Sequence, residues 1–268
     1  MSNNRSEKLK AAVIGVGYLG RFHARKYQLN PDVDLVGVVD TETETAGQVA
    51  SEVGAQAFTD YRDVLPMVDL VSIAVPTRDH HAVAKGCFEA GCHVLLEKPV
   101  TRTVEEAEEL IQLAESKGLV FQVGHLERFN PAVIALKDVL KNPLFIESNR
   151  LAPFNPRGTD VNVVLDLMIH DLQILHALDP SEPTELRATG VNVLSDRADI
   201  ANVRLEFENG CVANVTASRV SAKTERKMRI FQEDAYIAVD FHNRSLDIYR
   251  KGEKEMHPGI PEIVKEKS

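Results

Sequence analysis

The stretch that most narrows the possible folds is Gly15-Val16-Gly17-Tyr18-Leu19-Gly20, because of its flanks: Lys10 to Ile14 is a mostly apolar strand, and Arg21 to Leu29 is helix-like. A lone Gly-x-Gly-x-x-Gly is weak, but between strand and helix it is a dinucleotide-binding turn. Each glycine has a mechanical task. Gly15 allows the tight turn, Gly17 lets backbone approach a pyrophosphate, and Gly20 lets the helix pack closely on the strand. The Tyr18 and Leu19 amides at the helix start then face the phosphates, aided by the helix dipole. A second strand, Val33 to Val39, ends at Asp40, twenty residues after Gly20, where an acid accepts ribose hydroxyls. The same carboxylate would repel a 2′-phosphate by about 1 kcal/mol even when well hydrated. NAD is therefore expected rather than NADP.

Strand and helix go on alternating through Val123. Helix-like Thr41 to Glu52 precedes a short strand at Ala57-Phe58, and Asp69 to Val75 is a fourth strand ending at Pro76-Thr77. A helix follows to Ala90, closed by Gly91 as a C-cap. Its adjacent His80 and His81 do not face the same way on a helix, so no metal site is expected there. Val94 to Leu96 reads as a buried parallel strand leading into Glu97-Lys98-Pro99. Taken alone, Lys98 reads as a solvated loop lysine, yet it stands at the strand edge where open α/β sheets bind ligands. Thr103 and Glu106 form a capping box before the helix to Ser116, and Leu119 to Val123 is a sixth strand. This pattern predicts a doubly wound parallel sheet, a Rossmann domain over residues 1–124.

From Gly124 the character changes. A polar junction, His125-Leu126-Glu127-Arg128-Phe129-Asn130-Pro131, leads into a helix from Ala132 to Leu140, a strand from Leu144 to Leu151, and a loop carrying Arg157. Val163 to Leu178 is an apolar helix interrupted by Asp166, His170 and Asp171. Asp166 and His170, four apart, share a face. An aspartate that orients a histidine favours one tautomer and raises its basicity, which suits a general base. Taken alone, this pair also reads as a satisfied helical histidine. The remainder is strand-rich. Val203, Leu205 and Phe207 alternate with Arg204 and Glu206, Asn209-Gly210 signals a hairpin, and Ala213, Val215 and Ala217 share a face of the returning strand. Further strands are expected at Met228 to Gln232, Tyr236 to Phe241 and Leu246 to Tyr249. The expectation is an α+β domain over 125–250, with an open, mainly antiparallel sheet, and a charged, proline-containing tail over 251–268 that is poorly ordered.

The totals fit two domains: 268 residues against a prior of about one domain per 150. The net charge of -9 argues against general binding to nucleic acid or an anionic membrane. No apolar run reaches the length of about 18 that a spanning helix needs, and Met1 to Lys10 has no signal-peptide core, so a cytoplasmic protein is expected. Cys87, Cys92 and Cys211 make neither a paired framework nor a Cys-x-x-Cys site, in keeping with a reducing compartment.

With these segments in view the chain resembles the glucose-fructose oxidoreductase, inositol dehydrogenase and rhizopine catabolism (Gfo/Idh/MocA) family. The resemblance runs from about Lys10 to Tyr249 and rests on the Gly15/Gly17/Gly20 turn, Pro76 with His80, Ala90-Gly91-Cys92-His93-Val94 leading into Glu97-Lys98-Pro99, and Asp166-x-x-x-His170-Asp171. It implies hydride transfer between a nicotinamide and a sugar or polyol carbon, with Lys98 and His170 as the catalytic pair and Asp166 beside them. Gly15, Gly17, Tyr18, Leu19, Gly20, Asp40, Pro76, Thr77, His80, Glu97 and Lys98 would hold the cofactor. Within the family, Gly124 to Pro131 and Asp160 to Asp171 resemble the branch of UDP-N-acetylglucosamine 3-dehydrogenases. Lys98, His125, Arg128, Asn130, Arg157 and His170 would then meet substrate, with Arg128, Arg150 and Arg157 as cationic contacts for a pyrophosphate. The family also implies a homodimer or homotetramer built through the C-terminal sheet. Its members usually continue past the last strand into further helix, so a truncated chain or a lost closing segment is expected. The alternatives are a dehydrogenase of a free sugar or polyol, a biliverdin-reductase-like enzyme, which would want an apolar cleft, and a non-catalytic NAD-binding sensor, which would not need Lys98 and His170 together.

Overall fold

The computed structural model describes residues 8–155, 161–178 and 181–266. The chain divides into two compact units, Met1–Gly124 and His125–Ser268.

The first unit alternates strand and helix: β1 (Leu9–Ile14), α1 (Tyr18–Leu29), β2 (Val33–Val39), α2 (Thr43–Val53), β3 (Gln56–Phe58), β4 (Leu70–Ile73), α3 (Thr77–Glu89), β5 (His93–Leu96), α4 (Val104–Ser116) and β6 (Phe121–Val123). All six strands are parallel, in the order β3-β2-β1-β4-β5-β6. The order reverses between β1 and β4, which opens a crevice at their carboxyl ends. Strand alternation splits the core into two layers. Val13 and Val38 pack with Ala24, Val49 and Val53 of α1 and α2, while Ala12, Ile14 and Ile73 pack with Phe88 and Leu110 of α3 and α4. Each fully buried side chain of this size contributes about 1.5–3 kcal/mol, which fixes the strand register.

The second unit contains a 3-10 turn at Leu126–Phe129, α5 (Pro131–Val139), β7 (Phe145–Leu151), a π-helical turn at Val164–Met168 running into α6 (Ile169–Leu178), and then β8 (Pro183–Val191), β9 (Ile200–Phe207), β10 (Val212–Ser218), β11 (Glu225–Phe231), β12 (Ala235–Asp240), β13 (Ser245–His257) and β14 (Ile260–Lys265). The eight strands run β14-β13-β12-β11-β7-β10-β9-β8, antiparallel except for the β7/β10 pair. Ile146, Val203, Leu205, Val215 and Ile230 form the inner face and pack on Val133 and Leu136 of α5 and on Met168 and Ile174. The outer face carries a row of rings, Phe145, Phe231, Tyr236 and Tyr249, with neighbouring centroids 6.0, 5.0 and 5.4 Å apart.

One expectation is corrected here, and one strand was not foreseen. The segment after Tyr249 is not a poorly ordered tail through residue 266: it completes β13 and returns as β14 around a turn with Gly259 at φ 78°. Its charges pair across strands, Arg250 with Glu266 and Lys265 with Asp247. Strand β8, which the sequence pattern did not predict, is an edge strand exposed along almost its whole length.

Candidate functional site

The glycine turn behaves as its spacing requires. Gly15 sits at φ 81°, and a Cβ there would lie 2.8 Å from the Ala74 carbonyl carbon, so only glycine fits. At Gly20 a Cβ would fall 1.8 Å from the Gly15 carbonyl oxygen, because α1 crosses directly over the turn. Gly17 has nothing within 4 Å of its added Cβ, which is the open space a pyrophosphate needs. Helix α1 starts at Tyr18 with no side chain capping it. The positive end of its dipole therefore faces this turn, which favours an anion there. Gly17, Tyr18 and Leu19 are exposed.

Asp40 follows β2 beside this turn. One carboxylate oxygen accepts from the Val16 amide at 3.0 Å and the other from the Glu42 amide at 3.1 Å. A carboxylate offers about four lone-pair positions, so capacity for ribose hydroxyls is left. The residues present thus fit a dinucleotide: a space, a set of amides and an acid, all at the carboxyl ends of adjoining strands.

The strands across the switch point supply the rest of this edge. Pro76 is exposed and Thr77 opens α3. His80 is 1% exposed, and its ring nitrogens lie 2.8 Å from the Pro99 carbonyl and 2.9 Å from the Val75 carbonyl. It therefore ties the loops after β4 and β5 together. His81 turns away to Glu109 at 2.8 Å. Lys98 stands half-buried just past β5. Glu97 is buried beneath that edge, where it meets His23. All three cysteines are buried. Burial pushes the Cys87 thiol well above its ordinary range, which makes it a poor nucleophile.

In the second unit, Asp166 lies in the π-helical turn and His170 in the first turn of α6, both half-buried. The expected single α-helix thus begins as a π-turn that holds Asp166, and π-turns concentrate at functional positions. Next to His170, Asp171 is fully buried and accepts from Arg150 Nε at 2.6 Å and from the Ser148 hydroxyl at 2.9 Å. Arg150 also donates to Glu127 at 2.9 Å. This argues against its reading as a pyrophosphate contact, since the guanidinium is 3% exposed and held by two carboxylates. Burial alone would lower the Arg150 pKa, but Asp171 and Glu127 outweigh it and raise it.

Asn130 also bonds within the second unit. Its side-chain oxygen caps α5 through the Ala132 amide at 3.1 Å, and its nitrogen donates to the Phe241 carbonyl at 3.0 Å. Arg128 is exposed and His125 half-buried. Arg157 lies outside the described residues. The sequence reading missed His23 and the roles of Asp171 and Glu127. A signal was there: Ser72 interrupts an apolar strand, and His23 and Tyr27 stand four apart on the helix that follows the glycine turn.

Residues 9–125 match the family described as "Oxidoreductase family, NAD-binding Rossmann fold", and residues 147–238 match the GFO/IDH/MocA C-terminal domain. The chain is 45% identical over 256 residues to a UDP-N-acetylglucosamine 3-dehydrogenase of Acidithiobacillus ferrooxidans, covering 95% of this chain and 81% of that protein. The solved structure of that enzyme superposes with a TM-score of 0.88 at 43% identity, covering 97% of this chain and 82% of the other. A scyllo-inositol 2-dehydrogenase (NAD(+)) of Bacillus subtilis is 29% identical over 234 residues, 80% of this chain and 68% of its own.

Proposed function

The chain belongs to the Gfo/Idh/MocA family of NAD-binding oxidoreductases, and from that premise we propose that it oxidises the 3-hydroxyl of a UDP-N-acetylhexosamine. The observation that carries this substrate is the 45% identity, along 95% of the chain, to an enzyme named for that reaction. Bound NAD supplies the hydride acceptor. The Gly17 space and the Tyr18 and Leu19 amides hold its pyrophosphate, Asp40 its adenosine ribose, and Pro76 and Thr77 border the nicotinamide side.

Removing hydride from carbon requires the hydroxyl proton to leave. His170 is the base, a role worth about 10²- to 10⁴-fold in rate. Lys98 hydrogen-bonds the same oxygen and stabilises the charge that develops there, and Asp166 orients the imidazole. Arg128, His125 and Arg157 meet the UDP-sugar. We place the enzyme in the cytoplasm, in lipid A biosynthesis ahead of an aminotransferase, as a homodimer or homotetramer through the outer face of the second sheet. Among the described residues no helix is long and apolar enough to cross a membrane.

The test is NAD reduction over a panel of UDP-sugars, free sugars and inositols. Turnover is expected with UDP-N-acetylglucosamine, lowered about 10²-fold or more in His170→Ala and Lys98→Ala, with NAD affinity kept. Turnover of inositols alone, or near wild-type rates in either variant, would overturn it.

A further inference from the structure

One buried polar cluster ties helix α1 to the residue beside Lys98. Glu97 is 5% exposed, and a carboxylate so withdrawn from water persists only where donors reach it. His23 Nε2 lies 3.0 Å from Glu97 Oε1, and the Lys98 amide donates to Oε2 at 3.3 Å. A carboxylate only accepts, so the ring hydrogen sits on Nε2. In the neutral ring, Nδ1 is then left to accept from the Ser72 hydroxyl, 3.1 Å away. Ser72 Oγ accepts in turn from the Tyr27 hydroxyl at 2.8 Å. Burial raises the Tyr27 pKa against the opposing pull of Ser72, so that hydroxyl keeps its proton. A single direction of donation thus satisfies every member. On the other side Gly124 lies flush against the carboxylate, where a Cβ would come within 3.0 Å of Oε1.

We infer that His23 is a positioning residue for hydride transfer: its Nε2–H fixes the Glu97 carboxylate and thereby the backbone from which Lys98 springs. The inference rests on the reaction proposed above. Displacing a reacting group by about 1 Å costs on the order of 10²-fold in rate.

The experiment compares His23→Leu, which keeps bulk and removes both ring nitrogens, with His23→Gln, which restores one amide donor and one carbonyl acceptor. Both are made in the full chain and assayed with NAD and UDP-N-acetylglucosamine. His23→Leu is expected to lose about 10- to 100-fold in kcat while the NAD Kd of the folded enzyme stays close to wild type; its melting temperature falls because the buried Glu97 carboxylate loses a donor, and His23→Gln is expected to recover most of both losses. A wild-type kcat in His23→Leu, equal losses in the two variants, or a loss of NAD binding that matches the loss of rate would each overturn the inference. Imidazole nitrogen resonances of the wild-type chain give a second readout that needs neither turnover nor a folded variant. The Nε2–H tautomer is expected at His23, and the Nδ1–H tautomer would overturn the clamp. A wild-type enzyme inert toward every sugar, with the Nε2–H tautomer present, would sink the reaction and leave the clamp standing.

Discussion

Substituting Asp171→Asn tests how much the second unit depends on its buried charges. Arg150 Nε lies 2.6 Å from one Asp171 oxygen and Nη2 3.3 Å from the other, and both side chains are almost wholly buried. Asparagine keeps the shape but removes the charge and turns a donor toward the guanidinium. Two hydrogen bonds to a charged group, at about 1.5–3 kcal/mol each, set the loss at about 3–6 kcal/mol. Breaking a buried pair by removing one partner costs about 3–5 kcal/mol. Glu127 still holds Nη2 at 2.9 Å, so the expected cost lies at the low end, about 3 kcal/mol. That corresponds to a fall in melting temperature of about 6–12 °C at about 2–4 °C per kcal/mol. The chain has no tryptophan, so urea unfolding is best followed by far-ultraviolet circular dichroism. The triple replacement Arg150→Met, Asp171→Leu and Glu127→Gln should regain most of the loss, because it removes the buried pair together with the Glu127 charge that Arg150 also holds. A cost below about 1 kcal/mol for Asp171→Asn would refute the reasoning, since surface ion pairs are worth that little.

Three further outcomes follow from the same geometry. Gly17→Ala should leave the melting temperature unchanged, since its Cβ meets nothing within 4 Å, yet weaken NAD binding by about tenfold or more in an equilibrium titration; Gly20→Ala should lose both, its Cβ falling 1.8 Å from backbone. Asp40→Ser should shift the NADP-to-NAD ratio of kcat/KM upward by about fivefold, the equivalent of about 1 kcal/mol of relieved repulsion. Asp199 is buried against its charged form, but bonds from Arg219, the Leu194 amide and Ser195 carry its pKa well below the ordinary carboxylate range. Its folded pKa being depressed, the stability it contributes is present above the unfolded value of about 3.9 and is lost as pH falls below it. Asp199→Asn should therefore show a shallower decline in denaturation midpoint between about pH 5 and pH 3 than the wild-type chain.

How far the fold could be read from the sequence depended on how local the determining physics was. Gly15, Gly17, Gly20 and Asp40 were legible because a turn, a close approach and a strand end are each set by a few adjoining residues. The hairpin at Asn209-Gly210 was legible for the same reason, Gly210 taking φ 83°. Strand β8 was not, because an exposed edge strand has no buried face to impose alternation. The β13–β14 hairpin was hidden by its charges, which read as solvated until Arg250 and Glu266 are paired. The partners of Arg150, Asn130 and His80 within the chain were not legible, because a polar side chain carries no mark of whether its partner is a ligand or a residue far along the chain. Arg150 and Asp171 lie 21 residues apart, and His80 and Pro99 lie 19 apart. His23 was missed for the same reason, its partner Glu97 being 74 residues on.

The claim on which the account rests is that hydride leaves a ring carbon of a nucleotide sugar for NAD. Incubating the enzyme with NAD and UDP-N-acetylglucosamine carrying deuterium on sugar carbon 3 tests it directly, by mass analysis of the recovered nicotinamide. Reduced cofactor that carries the label is expected, formed more slowly than from the unlabelled sugar. Reduced cofactor without deuterium, or none formed, would contradict it.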